Sequence, residues 1–236
     1  MAKAGKRFTS SAERIDHQKR YDIPEAFNIL KTTKAAKFDE SVDVAIRLGI
    51  DPKKSDQMVR GVVSLPHGTG KTLRVLVFAK GEKENEAKAA GADFVGGDDL
   101  IEKIKGGWTD FDACIATPDM MPKIGPIAKI LGPRGLMPNP KVGTVTMDVG
   151  RAVREQKAGR IEFRIEKAGI IHCPIGKLSF DAAKLEQNFR ALMDSVVKAK
   201  PATAKGAYLL SISVSSTMGP GIKIDPSKAG AGLTHD

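Results

Sequence analysis

Apolar and polar residues follow two different rhythms along this chain. From Ser41 to Leu48 (SVDVAIRL) every second residue is apolar, the period of a strand with one buried and one wet face. The same period returns at 160–166 (RIEFRIE) and 208–214, and a short apolar stretch at 61–65 reads as a further strand. Gly169 offers a turn, so 160–166 and 170–175 form a hairpin. Helical spacing marks two other segments. Asp22-Ile23-Pro24-Glu25 gives an acidic cap and a first-turn proline, followed by Ala26, Phe27, Ile29 and Leu30 on one stripe. The segment 180–198 turns Leu185, Phe189, Leu192, Val196 and Val197 to one side.

Between these pieces the rhythm changes. Residues 73–79 (LRVLVFA) are nearly continuous β-formers, as expected for a strand covered on both faces of a parallel sheet. A polar helix (82–90), a short strand (92–95), a helix (98–105) and a strand (113–117) follow, a β-α-β-α-β order that predicts a small doubly wound unit. A helix over 119–130, a short strand over 142–147 and a helix over 148–157 complete it. The predicted fold class is therefore α/β with two domains. Residues 1–67 and 158–236 form a discontinuous α+β domain, an open-faced, antiparallel-rich sheet backed by helices. Residues 68–157 form an inserted α/β domain between the second and third strands of the outer pieces. Both crossings, near 66–70 and 157–160, contain glycine, so relative motion of the domains is expected.

Charge sharpens this division. The chain of 236 residues has a net charge of +10, which points to a polyanionic partner. Residues 68–157 hold 14 basic and 12 acidic residues, against 24 and 16 in the flanks, so the excess sits on the outer pieces. Its densest stretch is an N-terminal arm with Lys3, Lys6, Arg7, Arg14, Lys19 and Arg20, either a solvated tail or a phosphate strap. Aromatic residues are only 5% of the chain, which argues against a broad base-stacking platform. Cys114 and Cys173 stand alone, so neither a disulfide framework nor a zinc site is indicated. With no leader-like start and no apolar run near ~18 residues, a soluble intracellular protein without membrane association is expected.

Candidate chemistry is sparse. Gly70-Lys71-Thr72 matches the end of a phosphate-binding loop, but Leu65 stands where its first glycine belongs, and a strand rather than a helix follows. Nucleotide binding there is the alternative reading; an interdomain linker is preferred. The turn 79–84 lacks a dinucleotide fingerprint and is acidic where a pyrophosphate would sit. His17, His67, His172 and His235 are dispersed, and no catalytic constellation, cofactor site or metal site is expected. Two loops are unusual. The proline- and glycine-rich 130–141 reads as a rigid cover or a contact surface. Residues 215–220 (SSTMGP) read by composition as a strand-ending turn; alternatively their hydroxyls, methionine and glycine allow close approach to ribose.

Several segments together closely resemble the bacterial ribosomal protein L-one family, large-subunit proteins of the mobile side stalk. They include 37–41 (KFDES), 49–52 (GIDP), 63–68 (VSLPHG), 130–140 (ILGPRGLMPNP), 157–164 (KAGRIEFR) and 216–220 (STMGP). The resemblance runs in order through nearly the whole chain. It implies a discontinuous first domain, an inserted Rossmann-like second domain and a hinge. It further implies a cytoplasmic, non-enzymatic protein, monomeric when free, that joins the large ribosomal subunit by binding a folded site on its ribosomal RNA. Repression of its own operon through its messenger RNA, and a part in releasing exit-site transfer RNA, are implied as well. Carried over by motif, the RNA face comprises Lys37, Phe38, Glu40 and Ser41 together with Ser215, Thr217, Met218 and Gly219, with Arg164, Lys167 and His172 beside them. Glu40, being acidic, is expected to hydrogen-bond ribose or base edges.

Overall fold

The structure, a computed structural model, describes residues 5–33 and 36–230. The chain opens with α1 (Lys6–Ala12), α2 (Ile23–Thr32), β1 (Ser41–Leu48) and β2 (Arg60–Ser64). There follow β3 (Val75–Phe78), α3 (Glu82–Ala89), β4 (Phe94–Gly96), α4 (Asp98–Lys105) and β5 (Ala113–Ala116). Next come α5 (Met121–Ile124), α6 (Ala128–Leu131) and α7 (Val149–Lys157). The chain then runs through β6 (Arg160–Arg164), β7 (Ile170–Lys177), α8 (Ala182–Lys198), β8 (Leu209–Ser216), β9 (Ile222–Ile224) and α9 (Pro226–Gly230). By contact the chain divides into two compact units. The first joins the chain up to Gly70 with the chain from Ile161 onward, and the second is Lys71–Arg160. The fold is mixed α/β, with antiparallel pairing in the first unit and parallel pairing in the second.

In the first unit a four-stranded sheet has the order β7-β1-β8-β9. Strand β1 lies at its centre, antiparallel to both β7 and β8. Its alternation becomes burial: Val42, Val44, Ile46 and Leu48 are buried, while Asp43 and Arg47 are exposed. The buried side packs on α2 and α8, where the Phe27 and Phe189 rings meet edge to face at 5.8 Å, a favourable aromatic geometry. On the opposite side Asp43 and Arg47 are exposed and Ser41 and Ala45 only half-buried.

The structure departs from the sequence reading in several places. Strand β2 pairs with β6 in a separate two-stranded sheet instead of extending the main one. Strand β9 was not anticipated; its three residues are too few for periodicity to register. Helix α1 lies in the basic arm, where the sequence shows no helical pattern because the helix has one buried residue, Ser11, and so no apolar stripe. On α8, Val197 is only half-buried; Met193 and Asn188 are fully buried instead.

In the second unit β3 lies between β4 and β5, parallel to both. Val75, Leu76, Val77 and Phe78 are all buried, because apolar clusters cover both faces of the sheet. The expected helix 119–130 is instead a succession of short pieces, Pro118–Met120 and Gly125–Ile127 as 3-10 turns alternating with α5 and α6. Pro122 and Pro126 remove the amide donors that a continuous α-ladder needs. The expected strand 142–147 is reduced to one parallel bridge, Ala116 to Val145. Its backbone bonds run from the Ala116 N–H to the Thr144 carbonyl (2.9 Å) and from the Thr146 N–H to the Ala116 carbonyl (3.1 Å).

Candidate nucleic-acid interface

The site begins with a buried carboxylate. Glu40, just before β1, is 1% exposed. One of its oxygens accepts the Ala36 N–H (3.2 Å) and the other accepts the Met218 N–H (2.9 Å). Burial pushes its pKa up, but bonds from the Ser216 hydroxyl and the two amides, with the charge of Arg7, outweigh this and hold it below the ordinary value. Both Glu40 oxygens are thus engaged by donors of the chain itself. Glu40 is a brace that ties the 36–40 segment to the 216–219 turn.

Around this brace the chain is knitted by short bonds. The Ser41 N–H donates to Thr217 Oγ1 (3.0 Å) and the Thr217 N–H donates to the Ser41 carbonyl (3.0 Å). Asp39 accepts the Ser179 N–H (3.0 Å) and hydroxyl (2.8 Å), and Lys177 Nζ donates to Ser41 Oγ (3.0 Å). At Gly219 an added Cβ would lie 2.5 Å from Ser216 Oγ, the hydroxyl that serves Glu40. Glycine is needed here to let Ser216 reach the carboxylate. The result is a tip on which Phe38 (52% exposed) and Met218 (51% exposed) project into solvent, with Lys37 and Thr217 also exposed.

The open sheet face runs from this tip. Ser215 lies opposite Asp43 in the pairing, and His172 and Ser213 flank Ala45 on either side. The expected hairpin of 160–166 with 170–175 is reduced to one bridge, Ile165 to Ile171, because β6 pairs with β2. Arg164 is exposed at the end of β6, and on β7 His172 Nε2 is 4.0 Å from a Glu166 carboxylate oxygen. Ala45 is four residues from Ser41, so His172, opposite Ala45, sits about 13 Å along the sheet from the tip. Lys167 sits farther on, exposed in the hairpin turn. Asp43 lies between Ser41 and Ala45; partial desolvation by the surrounding sheet raises its pKa although it is exposed, with Lys177 and His172 pulling it back. Lys177 and Ser179 lie outside every segment that the sequence singles out, while Asp39, Ser216 and Arg7 lie inside such segments but not among the expected contact residues. The available signals were the 37–41 motif, the basic arm and the hydroxyls of 215–217.

Other candidate chemistry is occupied or closed. Gly70-Lys71-Thr72 leads into β3 rather than a helix, and Lys71 Nζ lies 2.6 Å from Asp112 Oδ1. The Lys71 bond, against a desolvation cost and with help from Arg74, holds the Asp112 pKa down at about 2. Near the C-terminal ends of β3 and β4, Asp98 is paired with Lys80 and Lys123, so a carboxylate of the chain itself holds the cations an anionic ligand would need. Cys114 and Cys173 are buried; burial pushes the Cys173 thiol up to about 12 and the Cys114 thiol upward too, far from a reactive thiolate. Among the described residues no group of three or more His, Cys, Asp or Glu could hold a metal ion.

Comparison with known proteins agrees with the resemblance carried by the motifs. The model of the ribosomal protein L1p/L10e family matches residues 30–220, which include β1, the Glu40 brace and the 216–219 turn. The large ribosomal subunit protein uL1 of Bdellovibrio bacteriovorus is 63% identical over 228 residues, covering 97% of each chain. With a match of that extent and a relative that similar, the chain belongs to the ribosomal protein L1p/L10e family.

Proposed function

We propose that this protein is a structural constituent of the large ribosomal subunit that binds large-subunit ribosomal RNA through the tip and open face of its first unit. As a member of its family it is a ribosomal protein without an enzymatic role, and its place of action is the cytoplasmic ribosome. The observation that carries the RNA reading is the tip itself. Two large apolar side chains, Phe38 and Met218, stand exposed on the two segments that the Glu40 carboxylate ties together through the Ala36 and Met218 amides. Such pre-organisation lowers the ordering cost of binding. A rigid, hydroxyl-lined surface poor in aromatics suits folded RNA, which is read largely by shape and ribose hydroxyls.

In this reading the first unit acts as a discontinuous RNA-binding domain, and the second is an inserted, Rossmann-like domain. Lys37, Phe38, Ser41, Ser215, Thr217, Met218 and Gly219 form the primary contact, and Arg164, Lys167 and His172 the secondary one. The same surface serves a similarly folded site on the messenger RNA of its own operon, which represses its synthesis. On the ribosome the protein takes part in the release of exit-site transfer RNA.

Replacing Met218 by alanine should weaken binding to a side-stalk fragment of the ribosomal RNA by about 1–3 kcal/mol, the range of a single direct contact. Its exposed position means the thermal midpoint should barely move. Titration of the RNA fragment with both proteins checks this. Unchanged affinity in a folded variant removes Met218 from the contact.

A further inference from the structure

At the other end of the open face from the tip lies an open cleft of about 630 Å³. Arg47, Lys54 and Lys205 line it from three different segments, and Asp51 is the one acidic residue in its wall. All three cations are exposed, and none forms an ion pair with a carboxylate among the described residues. Asp51 is turned to local use: its side chain accepts the Lys53 N–H (3.1 Å) and its own N–H donates to Gln57 Oε1 (2.8 Å).

The floor of the cleft is tightly built. The Gly49 N–H donates to the Tyr208 carbonyl (2.8 Å) and the Leu48 N–H to the Gly169 carbonyl (2.9 Å). A Cβ on Gly49 would stand only 2.1 Å from the Ala207 carbonyl oxygen, so only glycine lets the 199–208 loop approach this closely. The loop thereby carries Lys205 to the cleft that Arg47 reaches from β1. Converging cations over a fixed backbone, facing one carboxylate already engaged elsewhere, make a site for an anion.

We propose that this cleft binds phosphate groups of the same RNA that the tip recognises, an assignment that rests on the RNA-binding reading given above. Continuity of the surface favours RNA as the source. Arg47 belongs to the exposed series of β1 that starts at Ser41, and it lies between Ile170 on β7 and Ser211 on β8. Ala168 in the cleft wall adjoins Lys167 of the secondary contact. Six residues of strand separate Ser41 from Arg47, about 20 Å, so the tip and the cleft engage different parts of one folded RNA. The tip supplies selectivity. The cleft adds sequence-independent attraction and fixes the orientation of the RNA on the sheet.

The test compares the unchanged protein, the variant R47Q/K54Q/K205Q and the variant M218A. Each is titrated with the side-stalk RNA fragment from about 50 to 200 mM salt, with an unrelated RNA as competitor. The cleft variant should bind about 10-fold or more weakly at low salt. The slope of log affinity against log salt should become shallower by about 1–3, close to one per phosphate neutralised. Its preference over the competitor should remain, and its thermal midpoint should match that of the unchanged protein. If that slope equals the unchanged protein's while M218A still weakens binding, the cleft assignment is overturned and the tip reading stands. If the unchanged protein shows no preference for the fragment, the RNA reading fails and takes the cleft with it. A last arm adds millimolar inorganic phosphate. A raised thermal midpoint in the unchanged protein alone, with equal RNA slopes, assigns the cleft to a free anion and overturns the proposal.

Discussion

Replacing Glu40 by alanine should cost about 3 kcal/mol of stability in the first unit and lower affinity for the side-stalk RNA at least ~100-fold. The stability loss follows from three donors left without an acceptor: the Ala36 N–H, the Met218 N–H and the Ser216 hydroxyl. Each buried donor left unsatisfied costs roughly 1–3 kcal/mol, with water admitted to the new space recovering part of it. The affinity loss follows from the freed tip, since Phe38 and Met218 then lose the fixed backbone that presents them; ~100-fold is about 2.7 kcal/mol. Denaturant unfolding and RNA titration measure the two effects. The slope of affinity against salt should hold, because no cation is removed. A loss of affinity with a shallower slope contradicts the brace, for it means the substitution has disturbed phosphate contacts instead.

The brace also fixes a pH dependence. The folded-state pKa of Glu40 lies below its ordinary value, so the ionised carboxylate contributes stability above about pH 4.3, the unfolded value. That contribution is lost as pH falls through the lowered folded value. The Glu40→Gln variant keeps the shape but not the charge, and it should lack this part of the acid dependence.

The second large effect lies at Asn188, in the middle of α8. Its side chain is fully buried. Oδ1 accepts the His67 N–H (3.0 Å), while Nδ2 donates to the Gly68 carbonyl (2.9 Å) and the Ile175 carbonyl (2.7 Å). One amide thus pins the segment 67–68, where the chain leaves the first unit, to strand β7. Asn188→Leu fills similar volume but abandons all three backbone groups, and should destabilise the unit by about 3 kcal/mol. Thermal unfolding checks this, and faster hydrogen exchange at His67 should accompany it. Helix α8 packs on the buried side of the sheet, so RNA affinity should stay within about threefold. A stability change below about 0.5 kcal/mol, the level of an ordinary surface substitution, removes Asn188 from that role.

These two residues show where sequence pattern stops being informative. The period-2 alternation of 41–48 translated directly into one buried and one open face, because burial at alternate positions is what makes such a pattern stable. The continuous apolar run at 75–78 likewise became a strand covered on both sides. Those features depend on one strand and its two environments. Glu40 and Asn188 depend instead on partners far away in sequence. Glu40 bonds across 178 residues to Met218, and Asn188 across 121 residues to His67. A charged residue ahead of a strand, or an amide inside an amphipathic helix, looks like an ordinary surface residue until the chain is folded. The split of β2 and β6 from the main sheet was hidden for a similar reason, since strand alternation carries no record of which edge a strand joins. The tip residues were singled out through the family's motifs; by composition 215–220 reads as a turn, with close approach to ribose as the alternative.

The most direct test of the RNA reading is the affinity of the intact protein for the side-stalk fragment of large-subunit ribosomal RNA, measured across a salt series against competitor RNA. Specific recognition by a pre-organised tip predicts sub-micromolar binding that persists at moderate salt and is not displaced by unrelated RNA. Weak binding that collapses with salt and ignores the identity of the RNA would contradict it, leaving only the attraction of a basic protein for any polyanion.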